Sequence, residues 1–263
     1  MHGSQMNKRI LKMFHYHPEQ NLLKDKVILV TGAGDGIGKE AAKTYAKYGA
    51  SVILLGRTVS KLEKVYDDII ANGGATPAIV PMDLKGASEI HYRGLAETIE
   101  GQFKTIDGIL HNAACLSVCC PFEHIQKNEF DEIMQVNVTA QYQLTKTLLP
   151  ILKQSDTGTI LFTSSSVGKQ GRAFWGAYSI SKFATEGMMQ VLADEMENTS
   201  VRVNAINPGA TRTNMRKKAL PGENSADVPE ASTLMPLYLY LMGKDSRHIH
   251  GQSIDAKTTN LLK

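Results

Sequence analysis

Apolar positions along the chain follow two rhythms. Short continuous runs, such as Val27-Ile28-Leu29-Val30 within residues 26–31, have the pattern of strands buried on both faces. Similar runs predict strands at 51–55, 77–82 with Pro77 at its start, 108–111 with Ile106 just ahead, 159–163 and 201–206, and a short last strand at 252–254. Between them, apolar residues recur at helical spacing and predict helices over about 37–48, 59–71, 87–103, 128–153, 176–197 and 234–242. Gly49 stops the first helix and Asn72-Gly73-Gly74 the second. The stretch 128–153 reads as about seven turns, broken or bent near Pro150. Within 176–197, Phe183, Met188, Met189 and Leu192 are the positions expected to face the core.

Strands and helices alternate throughout, which predicts an α/β fold: a single-domain, Rossmann-type, doubly wound parallel sheet of about seven strands with helices on both faces. No internal repeat, low-complexity tract or linker divides the chain. Residues 1–21 read as an N-terminal extension, with Met6 and Met13 as alternative starts, and residues 22–263 as the domain.

Composition narrows the function classes. The 263 residues, 42% hydrophobic and 21% charged, suit a soluble domain with a large core. A net charge of +3 and the lack of a basic helix disfavour nucleic acid. Cys115, Cys119 and Cys120 are an odd, clustered set, which fits a reducing compartment and a cytoplasmic protein better than a disulfide framework. His111 and His124 lie near them, but the spacing matches no common zinc pattern, so no metal is expected. No apolar run approaches a membrane span, and Met1 to Phe14, polar and basic, lack the apolar core of a secretory signal.

The chemistry-bearing residues sit at the ends of the predicted strands. Gly32-Ala33-Gly34-Asp35-Gly36-Ile37-Gly38 follows a strand and opens a helix, the context of a dinucleotide pyrophosphate site. Its glycines suit a sharp turn, close approach of a phosphate to the backbone, and packing of helix on strand. The second strand ends Leu55-Gly56-Arg57-Thr58, where Arg57 can pair bidentately with a 2′-phosphate, favouring NADP(H) over NAD(H). Asp35 weighs mildly the other way. Tyr178 and Lys182 are one helical turn apart on one face, where an ammonium is expected to lower the phenol's pKa and fit it for proton transfer.

Taken together, Thr31-Gly32-x-x-x-Gly36-x-Gly38, Asp83, Asn112-Ala113-Ala114, Asn137, Ser165, Tyr178-x-x-x-Lys182 and Pro208-Gly209 resemble, in order and spacing, the short-chain dehydrogenase/reductase family over about residues 22 to 255. The runs Phe162–Gly168 and Lys182–Gln190 look especially like the bacterial YciK-type reductases of that family. The resemblance implies roles. Tyr178 is the general acid/base, and Lys182 tunes it and holds the nicotinamide ribose. Ser164, Ser165 and Ser166 compete to polarise the substrate, and the family interval of thirteen residues to the tyrosine selects Ser165. Asn137 holds a water in the proton path behind Lys182. Gly32, Asp35, Gly36, Ile37 and Gly38 contact the cofactor at the glycine turn, Asp83 and Leu84 flank the adenine, and Asn112, Ala113 and Ala114 line the next loop, Ala114 replacing a usual glycine. Thr211 and Thr213, after Pro208-Gly209, bind carboxamide and phosphates.

A lid is expected at about 211–228, made basic by Arg212, Arg216, Lys217 and Lys218, with Lys169 and Arg172 as helpers toward an acidic substrate or an acyl carrier. Phe174 and Trp175 line the pocket or a neighbouring interface. The leading expectation is an NADP-dependent reductase or dehydrogenase acting on a small carbonyl or alcohol, with reduction of 3-oxoacyl thioesters as a narrower form. A non-catalytic NADP-binding sensor or scaffold is the competing class. The resemblance also implies a homodimer or homotetramer, with no nucleic-acid or membrane partner.

Overall fold

A computed structural model describes residues 16–256, so the expectations for Met1 to Phe14 and the last seven residues of the domain lie outside the described residues. Seven parallel strands form one sheet in the order β3-β2-β1-β4-β5-β6-β7. They are β1 Val27–Thr31, β2 Ser51–Gly56, β3 Ala78–Pro81, β4 Gly108–His111, β5 Thr159–Thr163, β6 Arg202–Asn207 and β7 Ser253–Asp255. The helices are α1 Gly36–Lys47, α2 Val59–Ala71, α3 Glu89–Phe103, α4 Lys127–Met134, α5 Ala140–Leu152, α6 Gly176–Met196, α7 Asn214–Ala219 and α8 Met235–Met242.

Alternation along each strand explains the two layers. Ile28, Val30, Val52 and Leu54 point into a core shared with α1, α2 and α8, while Val27, Leu29, Ile53 and Leu55 join α3, α5 and α6 on the other face. The chain runs outward one way from β1 to β3 and then restarts at β4 on the far side of β1. The connections leaving the carboxyl ends of β1 and β4 therefore go opposite ways, and the crevice between them is where such sheets take ligands.

Two expectations need correction. Pro150 neither breaks nor bends the chain out of the helix: α5 runs through it to Leu152. The irregularity falls earlier, where α4 passes into a π-helical segment, Gln135–Thr139, before α5 begins. On α6, Met189 is fully buried and Met188 and Leu192, partly buried, pack against the same core as expected, but Phe183 is 46% exposed. The buried stripe is instead Ser181, Lys182, Thr185, Glu186, Met189, Ala193 and Met196. Polar residues hold the inner face because they meet the strand ends, which turns Phe183 outward.

Candidate active site

Thr31, the last residue of β1, ties its strand to the loop after β4. Its Oγ1 accepts from the backbone N–H of Asn112 at 2.9 Å and of Ala113 at 3.0 Å, and donates to the Leu110 carbonyl at 3.3 Å. The Asn112 amide donates back to the Thr31 carbonyl at 3.3 Å. The glycine turn is clamped against this loop. A methyl at Gly38 would stand 2.3 Å from the Gly32 carbonyl oxygen and 2.6 Å from Asn112 Nδ2, so only glycine fits. Gly32 and Gly36 take φ of 66° and 52°, the left-handed region that glycine enters without strain.

Asp35 caps α1 by accepting from Gly36 N–H at 2.8 Å, and its other oxygen takes Lys61 Nζ at 2.6 Å and Asn214 Nδ2 at 2.8 Å. Burial works to raise its pKa, but the hydrogen bonds from Lys61, Asn214 and Gly36 together hold the carboxyl below its ordinary value. Asp35 is thus an ionised cap offset by a lysine of α2. Arg57 is exposed at the end of β2 and borders the same cleft, next to Thr58 and Lys61.

The cleft has a volume of about 860 Å³. The glycine turn, Arg57, Asp83, Leu84, Asn112, Ala113, Ala114, Ser165, Tyr178, Lys182, Pro208, Gly209, Thr211 and Thr213 all line it. Gly38 lies behind the turn and Ile37 at its edge. Asn137 is fully buried beneath it. Thr213 caps α7 by accepting from Arg216 N–H at 3.2 Å, and Thr211 is 5% exposed.

At the cleft floor, three serines separate by direction. Ser165 stands beside Tyr178 and acts to lower its pKa. Ser164 turns the other way and donates to the buried Glu186 carboxylate. Ser166 begins a short 3₁₀ turn, Ser166–Gly168. Lys182, 1% exposed, donates to the Thr163 carbonyl at 2.7 Å, and its Nζ lies 5.5 Å from the centre of the Tyr178 ring. Asn137 sits in the π-helical segment. Its amide donates to the Cys115 carbonyl and to Ser181 Oγ, both at 3.0 Å, and its Oδ1 accepts from Cys115 N–H at 2.8 Å. Both amide hydrogens therefore have protein partners, and the side chain locks the loop after β4 onto α6. π-Helical segments often mark functional sites.

The pKa of Tyr178 moves the opposite way from expectation. Burial pushes its phenol up to about 12, against a lowering effect from Ser165 and a further raising effect from Cys115. Lys182 does not reverse this, because burial pushes its own pKa down to about 8, with Cys115 and Glu186 pulling it back up. The pair forms a protonated phenol beside an easily deprotonated amine.

The segment 211–228 is also less basic than its composition. Arg216 forms a bidentate pair with Glu223 at 2.5 and 2.6 Å, and Arg212 pairs with Glu230 at 3.0 Å. Lys169 turns to Asp255 and the Ser253 carbonyl, both at 3.2 Å. Lys217 and Lys218 line the cleft. Arg172 is exposed. Trp175 lines the cleft with its ring centre 5.9 Å from that of Tyr178, whereas Phe174 is exposed. His111 stacks on Phe162 and meets Thr145 Oγ1 at 2.8 Å, a buried histidine with structural partners.

The family profile of short chain dehydrogenases matches residues 26–224, over this whole constellation. The chain belongs to the short-chain dehydrogenase family. It is 52% identical to the uncharacterized oxidoreductase YciK of Escherichia coli strain K12 over 243 residues, 92% of this chain and 96% of that one. A short chain dehydrogenase from Escherichia coli CFT073, solved in complex with NADPH, is similar at TM-score 0.89 and 52% identity, covering 91% of this chain and all of that one. A second, from Shigella flexneri 2a strain 301 in complex with NADP, is similar at TM-score 0.89 and 51% identity over 91% of this chain.

Several residues that shape the site of this short-chain dehydrogenase went unassigned in one dimension. Lys61 and Asn214 reach Asp35 from 26 and 179 residues away. Cys115 meets Asn137 across 22 residues. Glu186 did leave a trace, since it stands one helical turn beyond Lys182 on the face already singled out. Among the described residues, no helix is long and apolar enough to cross a membrane.

Proposed function

We propose that this short-chain dehydrogenase is an NADP(H)-dependent oxidoreductase that moves a hydride between the nicotinamide and a carbonyl or alcohol carbon, with Tyr178 as general acid/base. The observation that carries the reading is the convergence of Ser165, Tyr178 and Lys182 at the floor of the cleft whose rim is the glycine turn. The residues present suit the cofactor. Gly32 and Gly36 bring bare backbone to the N-terminus of α1 beside the Asp35 cap, and exposed Arg57 at the cleft border can reach a 2′-phosphate. The similar Escherichia coli and Shigella proteins with NADPH and NADP support the same choice. When bound, the nicotinamide supplies the hydride chemistry.

The protein's part follows from its own groups. Ser165 and Tyr178 donate hydrogen bonds to the substrate oxygen as negative charge grows on it. A phenol held near 12 is protonated at neutral pH, so the reducing direction finds the acid ready. The Lys182 ammonium steadies the phenolate left after transfer. Asn137, by tying Cys115 to Ser181, fixes the loop and helix that bound this corner. Asp83, Leu84, Asn112, Ala113, Ala114, Pro208, Gly209, Thr211 and Thr213 complete the cofactor walls in this reading, and 211–228 acts as the lid. Three unpaired cysteines fit a reducing cytoplasm, and exposed Tyr142, Ile180, Phe183 and Val191 on α5 and α6 are the surface we assign to pairing in a homodimer or homotetramer.

Thermal-shift titration with NADPH and with NADH, followed by an NADPH-oxidation screen over ketones, quinones and 3-oxoacyl thioesters, tests the function. NADPH at a hundred times its Kd should stabilise by about 2.7 kcal/mol. Stabilisation by NADH but not NADPH would overturn the cofactor assignment, and binding without turnover of any carbonyl would favour a sensor or scaffold.

A further inference from the structure

Tyr178, Lys182 and Glu186 occupy successive turns of one face of α6. Each grips one of three consecutive residues at the end of β5. Tyr178 stands beside Ser165, Lys182 bonds the Thr163 carbonyl at 2.7 Å, and Glu186 accepts from Ser164 Oγ. The glutamate reaches further: Ser253 Oγ of β7 donates to the same carboxylate oxygen at 2.8 Å. Ser164 itself is held on its other side, its N–H donating to the Ile206 carbonyl of β6 at 2.7 Å. The turn after it is pressed onto the same helix, for a methyl at Gly168 would stand 2.8 Å from the Lys182 backbone.

Glu186 is 6% exposed and Ser164 2%. A carboxylate at that depth requires partners, and it has two hydroxyl donors and the Lys182 ammonium one turn away. The groups facing Lys182 are Tyr178 and Glu186 from its own helix, Cys115 from the loop after β4 and the Thr163 carbonyl of β5. Near the Ser253 end stands the Lys169–Asp255 ion pair, at 3.2 Å, already balanced in charge.

We propose that Glu186 is a positioning residue of this active site, the third member of the α6 stripe, which holds the Ser164–Ser165 turn and fixes a negative charge beside the Lys182 ammonium. The assignment rests on the reading of Ser165, Tyr178 and Lys182 as the proton-transfer group. Its consequence is that the charge of Lys182 persists to higher pH than burial alone would allow, and that Ser165 is aimed by its neighbour.

The test is Glu186→Gln, which keeps an amide oxygen to accept from both serines while removing the charge. Lys182 is followed by NMR of protein labelled at lysine Cε, its signal identified by its loss in Lys182→Met. The titration midpoint of Lys182 should fall by about one pH unit in Glu186→Gln. The alkaline limb of kcat/KM for NADPH-dependent carbonyl reduction should move with it, and kcat/KM at pH 8 should drop on the order of tenfold. Ser164→Ala should lower kcat and leave the Lys182 midpoint in place. An unchanged Lys182 midpoint in folded Glu186→Gln overturns the charge role. Unchanged kcat in Ser164→Ala overturns the aiming role, and this variant decides should Glu186→Gln fail to fold. The NMR titration needs no turnover, so a wild-type protein that reduces no carbonyl would defeat the functional reading while the charge role is still decided.

Discussion

The ammonium of Lys182 is bonded to the carbonyl oxygen of Thr163 at 2.7 Å, at the end of β5. The bond anchors a cation in a place where it is costly: burial brings the lysine from an ordinary 10.5 to about 8. Two pH effects follow. For carbonyl reduction, kcat/KM should hold below neutrality and fall as pH rises through about 8, because the ammonium beside Tyr178 is lost while the phenol, at about 12, is still protonated. For stability, Lys182 binds its proton less readily in the folded protein than in the unfolded chain between about 8 and 10.5, so it should make the stability of the cofactor-free protein rise with pH from about 8 until, above about 9, the buried Cys115 thiol, held up to about 11, opposes it. A pH–rate profile and urea unfolding at several pH values check both, and Lys182→Met should abolish both.

Arg57 governs cofactor choice. Arg57→Ala should weaken NADPH binding by about ten- to a hundredfold, the range of a lost charge-assisted bidentate contact, and leave NADH binding nearly unchanged. Titration calorimetry with the two cofactors reads the difference directly. Equal losses for both would place Arg57 away from the 2′-phosphate.

Thr31 is a structural keystone of the crevice. Thr31→Val preserves shape but leaves the N–H groups of Asn112 and Ala113 without their acceptor. It should cost about 2 kcal/mol or more of stability, and it should loosen the glycine turn that Asn112 packs against. Urea unfolding measures the first effect, and a weaker NADPH affinity would report the second.

The order of strands and helices was legible because a parallel sheet covered on both faces writes itself as apolar runs: β1, β2, β4, β5 and β6 fell within about a residue of expectation. The glycine turn and the Tyr178–Lys182 spacing were legible because they are local. What escaped depends on distance or depth. Arg212 and Arg216 read as free basic charge until Glu230 and Glu223 were seen to pair with them. Phe183 read as core because helical periodicity cannot tell that Lys182 and Glu186 take the inner face. The sign of the Tyr178 shift was misjudged because a neighbouring lysine is visible in a sequence, whereas the burial that outweighs it is not. The π-helical segment around Asn137 left no periodic mark, being one extra residue in an otherwise regular helix.

Proton delivery by Tyr178 is tested most directly by Tyr178→Phe, assayed for NADPH oxidation with a carbonyl that the wild type reduces, alongside NADPH titration of both proteins. The ring stays in its place beside Trp175 while the hydroxyl next to Ser165 is removed. Turnover should fall by about 10²–10⁴-fold with NADPH affinity close to that of the wild type. A Tyr178→Phe protein that reduces the carbonyl at the wild-type rate would contradict the assignment of this phenol as the acid.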